Sequence, residues 1–149
     1  ATPSKKLDVR GDYQFIHNPA TELGSPDAYG DIITIGTGAG LTTLSVYYLD
    51  SSQVWQLADA NSGSTSSGIL ALALGATPSA GMLVRGYARN NTFTGSNGNK
   101  LYLNPASSGL MTTTIPSGTG DIVRIVAYII DGSSRTIYFN PDNTYIELI

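Results

Sequence analysis

Residues 121–139, DIVRIVAYIIDGSSRTIYF, leave the chain few options. Ten residues dominated by Ile, Val and Tyr run into Asp131-Gly132-Ser133-Ser134, and the chain returns from Arg135 to Phe139 in a second β-favouring run, the pattern of a β-hairpin. Period-two alternation predicts Val123, Ile125, Ala127 and Ile129 on one face, with Ile122, Val126, Tyr128 and Ile130 on the other and Arg124 among them. Both faces are largely apolar, so the strand belongs inside a sheet rather than at its edge.

The remaining segments extend this pattern. Val54 to Leu57, GILALALG at 68–75, MLVRGYA at 82–88, short runs at 31–35, 41–49, 100–103 and 110–115, and TYIELI at 144–149 all favour strands. They are punctuated by Gly, Pro, Asn, Asp and Ser every eight to twelve residues, and no segment carries a sustained helical period. The prediction is an all-β fold, a small antiparallel β-barrel or β-sandwich. Gly86 inside its strand predicts a bulge or a close backbone approach. Gly36, Gly38 and Gly40 read as a hairpin loop joining 31–35 to 41–49, because a phosphate-binding loop would open a helix and this one enters another β-favouring run.

Two stretches stand apart. Residues 1–12, ATPSKKLDVRGD, are polar and hold Lys5, Lys6 and Arg10, which predicts an extended N-terminal arm outside a β-domain at 13–149. Residues 59–67, DANSGSTSS, form a polar loop and a candidate boundary inside that domain. A chain of 149 residues buries roughly 70% of its unfolded surface, enough to fold without disulfide or metal.

Composition restricts the chemistry. Cysteine is absent, which removes disulfides, thiolate catalysis and zinc–thiolate sites. A net charge of −3 supplies no basic field for nucleic acid or an anionic membrane, and neither is predicted as a partner. The single histidine, His17, lacks the second base and the nucleophile elbow that a triad needs, and the carboxylates are dispersed among turns. No catalytic residue, cofactor or metal site is predicted. Charged residues are 13% of the chain, about half the usual share, which suits a surface packed against neighbours. Trp55, Tyr87 and Phe93 are the candidate residues for an oligomer interface, since large aromatic rings dominate such contacts.

GILALALG (68–75), GMLVRGY (81–87), LYL (101–103), GDIVRIVAY (120–128) and IYFNPDNTYIEL (137–148), in this order and spacing, resemble the C-terminal module that recurs in structural proteins of tailed bacteriophages, cyanophages included, often in tail-fibre-like chains. The resemblance covers roughly the second half of the chain. KLDVRGD (6–12) and VWQLADA (54–60) are similar to segments that precede the module, and Ala127 departs from it where Gly is usual. The resemblance implies a non-enzymatic virion structural protein. The expectation is a capsid decoration, or cement, protein on the capsid exterior, a homo-oligomer, taken as a trimer, that binds the major capsid protein through Lys5, Lys6 and Arg10. The alternative is a tail-fibre or tail-tip module that binds a host surface receptor.

Overall fold

The computed structural model describes residue 14 and residues 16–149. The predicted arm at 1–12, with Lys5, Lys6 and Arg10, lies outside the described residues. The chain opens with one helical turn, α1 (Pro19–Glu22), and proceeds through β1 (Asp27–Ile33), β2 (Val46–Leu49), β3 (Trp55–Leu57), α2 (Gly63–Ser66) and β4 (Leu70–Ala73). A 3-10 turn (Pro78–Ala80) leads to β5 (Met82–Arg89), then β6 (Lys100–Leu103), β7 (Met111–Thr112), β8 (Ile122–Val123), β9 (Ile125–Asp131), β10 (Thr136–Phe139) and β11 (Ile146–Glu147). The fold is all-β, one antiparallel sheet curled into a half-barrel.

Among the described residues, nine strands make this sheet. Eight run in the order β3-β2-β4-β5-β10-β9-β6-β7, β1 pairs with the remaining edge of β5, and β8 and β11 form a separate two-stranded ribbon. β2, before the 59–67 segment, pairs with β4, after it, so strands from both sides of that loop belong to one sheet. Within the loop Ser62 accepts a hydrogen bond from the Ser64 amide at 3.2 Å and caps α2, a helical turn that its polar composition did not predict.

β5 forks the sheet. Along one edge it pairs with β1, with a register shift that leaves Val84 without a partner there, while along the other Met82 and Leu83 pair with β4 and residues 86–89 pair with β10. Val84 and Arg85 pair with neither β4 nor β10, and a wedge opens there.

The curl encloses a core of Val46, Leu72, Leu83, Leu103, Val126, Ile129, Ile137 and Phe139. On the opposite face of β2 and β4, Tyr47, Ala71, Ala73, Trp55, Leu41 and Met82 make a second cluster. These strands are thus covered on both sides, which is why GILALALG is apolar throughout.

Three expectations are corrected. The predicted strand at 121–130 breaks at Arg124, because β8 leaves the main sheet to pair with β11. A register shift against β6 then makes Val126 an extra residue, so Val126 is fully buried while Ile125 is only half-buried. The glycines at 36–40 do not join paired strands, since β1 pairs with β5 and β2 with β3 and β4. The run at 41–49 is a strand only from Val46, its first half being a turn in which Leu44 sits at φ 61.

Candidate binding face

The outer face of the half-barrel carries a row that only the pairing register reveals. Tyr29 on β1 stands opposite Tyr87 on β5, Tyr87 opposite Tyr138 on β10, and Tyr138 opposite Tyr128 on β9. Their chain neighbours Ala88, Ile137, Phe139, Ala127 and Ile129 belong to the enclosed core, so alternation turns the four tyrosines outward. Ring centroids lie 5.5 Å apart from Tyr29 to Tyr87 and 5.2 Å from Tyr87 to Tyr138, with tilted planes. Such spacing is favourable for aromatic pairs across strands.

His17 extends the row, its ring 4.7 Å from that of Tyr29. It is held by the segment around α1. Arg89 donates from Nη1 to the Leu23 carbonyl at 2.9 Å and so ties that segment to β5, while His17 Nδ1 lies 3.4 Å from Glu22 Oε2. The Tyr29 hydroxyl donates to the same carboxylate at 3.4 Å. Burial first, and then the Glu22 charge, push the Tyr29 phenol above its ordinary pKa.

Polar groups border the aromatic row. Two residues further along each strand on the same face lie Asp31 and Arg85, joined by an ion pair at 2.7 Å between Arg85 Nη2 and Asp31 Oδ2, with both side chains more than half exposed. Three shallow depressions meet here. One of about 280 Å³ is lined by His17, Tyr29, Tyr87, Tyr138, Asp31 and Arg85. A cleft of about 730 Å³ in the fork shares Asp31 and Arg85 and adds Arg124, Asn140 and Asn143. A third of about 290 Å³ shares Asn140 and Asn143 and reaches Tyr128. The cleft in the fork shares lining residues with each of the other two, and the three adjoin as a groove beside the tyrosine row.

Arg124 closes the bottom of the cleft and is 4% exposed. It donates from Nε to the Asp142 carbonyl at 2.7 Å and from Nη1 to the Gly68 carbonyl at 2.9 Å and to the Ser66 carbonyl. Burial, above all, lowers its pKa, with the nearby Asp142 charge opposing. A separate apolar cavity of about 390 Å³ opens at the mouth of the half-barrel between Leu44, Phe93, Leu101, Leu110 and Met111.

Comparison with known proteins found no matching family model, no matching curated protein and no matching solved structure.

Of the candidate interface residues, Trp55 is 2% exposed and donates from Nε1 to the Ile35 carbonyl at 2.8 Å, so its ring belongs to this chain's own core. Phe93 is 8% exposed and packs with the enclosed cluster. Tyr87 lies on the open outer face, in the middle of the row. Sequence reasoning did not find the rest of the row. One signal was present: Tyr29-Gly30 and Gly86-Tyr87 are mirror-order dipeptides, and antiparallel pairing sets Tyr on Tyr and Gly on Gly.

Proposed function

We propose that this chain is a non-enzymatic structural protein of a tailed-bacteriophage virion, a decoration protein that binds the major capsid protein and stiffens the head lattice as a homo-oligomer. The observation that supports it is the apolar character of the surface. Ile16, Ile32, Ile35, Leu57, Ile69, Leu110, Ile115, Ile130, Tyr145, Ile146 and Ile149 are all well exposed on a chain with 13% charged residues. Exposed apolar side chains on a surface poor in charge suit a protein set among neighbours on a lattice, where many modest contacts sum to firm attachment. Lys5, Lys6 and Arg10 add a basic arm that complements an acidic partner.

Co-sedimentation with undecorated heads tests the proposal. The full chain is expected to bind, and deletion of residues 1–12 to weaken binding in a salt-sensitive manner, since each exposed ion pair contributes only about 0 to 1 kcal/mol. Absence of binding by the full chain at low salt would remove the decoration reading. A second reading, a tail-fibre or tail-tip module that engages a host surface receptor, is favoured by one specific feature, the half-buried tyrosine row on the outer face.

A further inference from the structure

We infer that the groove beside the tyrosine row binds an uncharged oligosaccharide, laid across β1, β5, β10 and β9 with its sugar faces on Tyr29, Tyr87, Tyr138 and Tyr128. Three observations identify the ligand by its chemistry. First, the rings form a repeating array. Neighbouring strands lie about 4.8 Å apart, so the four tyrosines present a half-buried aromatic contact at regular intervals over about 14 Å. A pyranose chain advances by a similar step per sugar and offers an apolar C–H face at each. Rigid aromatic rings supply large contact area at little entropic cost, and their hydroxyls exchange hydrogen bonds with a polyol.

Second, the polar border is balanced. Asp31 and Arg85 neutralise each other 2.7 Å apart and still expose acceptor and donor atoms, a pairing that fits adjacent hydroxyls. An anionic ligand would confront Asp31 and a cationic one Arg85, so the charge pattern selects an uncharged partner. Third, the groove is anchored. Asn140 and Asn143 line it beyond Arg85, on a turn that the buried Arg124 fixes by its bond to the Asp142 carbonyl. Amides on a held turn add orienting bonds to the stacking surface, the usual composition of a ligand site.

The inference goes with the reading of this chain as a virion surface protein, and the two fail separately. The full chain is tested by saturation-transfer NMR and by titration against cellohexaose, maltohexaose and N-acetylated chitohexaose. At least one probe is expected to bind. Tyr87→Ala should weaken that binding about tenfold or more, as the central contact of the array, and Asp31→Asn and Arg85→Gln severalfold each. Leu110→Ser, at the mouth of the half-barrel, should leave it unchanged. Should Tyr87→Ala fail to fold, Tyr138→Ser and the two polar variants carry the same test. Binding of none of the three probes by the wild-type chain overturns the inference, as does undiminished binding by folded Tyr87→Ala and Tyr138→Ser. Sedimentation in parallel provides a further overturning outcome: loss of self-association together with sugar binding in Tyr87→Ala assigns the row to a contact between copies of the chain. A protein that binds heads but no oligosaccharide sinks this inference alone, and one that binds oligosaccharide but no heads sinks the decoration reading alone.

Discussion

Gly86 shows how tightly single positions are drawn. A Cβ added there would lie 2.3 Å from the Tyr29 carbonyl oxygen and 2.8 Å from Gly30 Cα, on a backbone at φ 152. Gly30 meets Arg85 and Gly86 in the same way from across the pair. Gly86→Ala must therefore push β1 from β5 or distort one of them, and both outcomes disturb the register that aligns the tyrosines. The expected loss is about 2 to 4 kcal/mol in urea unfolding, at the large end for a single methyl group. A loss below about 0.5 kcal/mol would mean that the two backbones separate freely. The close approach was legible, because a glycine inside a β-favouring run has few other uses. Its partner was not, because pairing between residues 30 and 86 is a long-range fact that local pattern does not carry. The same limit hid the tyrosine row: alternation says that Tyr87 faces away from Ala88, not that three more tyrosines stand beside it.

At the scale of elements, the hairpin of β9 and β10 emerged as read, with Ile137 opposite Ile129 and Phe139 opposite Ala127. The error lay just before it. An uninterrupted alternation from Ile122 to Ile130 concealed a change of partner strand at Arg124, and the only hint was a cation amid apolar residues. In the fold that cation is a clamp. Its guanidinium gathers the carbonyls of Ser66 and Gly68, between α2 and β4, and that of Asp142, beyond β10. Arg124→Met keeps much of the packing volume but strips three carbonyls of their donor. At about 1 to 3 kcal/mol for each buried group left unpaired, and with water reaching some of them, the expected loss is about 2 to 5 kcal/mol. Arg124→Lys should recover less than half of it, since one ammonium cannot span the positions that a planar fork reaches. Equal stability of Arg124→Met and wild type in chemical denaturation would reduce the clamp to a bystander.

For the whole molecule, the polar loop at 59–67 raises the question of how many units fold. Composition made it a candidate boundary, and nothing in its own sequence argues otherwise. The sheet order does, because β2 lies between β3 and β4, and β1 covers the far edge of β5. A chain cut after residue 67 leaves the second piece with β4 lacking β2 and β5 lacking β1. Buried residues such as Leu70, Ala71 and Leu72 then lose the strand beside them and with it part of their cover. A sheet stripped of strands on both sides of its fork presents long unpaired edges, which favour aggregation over folding. Residues 68–149 expressed alone should thus show no cooperative transition by scanning calorimetry, and mixing with residues 1–67 should restore one. A single sharp transition for 68–149 alone, near the midpoint of the full chain, would instead make the second half an autonomous module and the strands before it an addition to its edges.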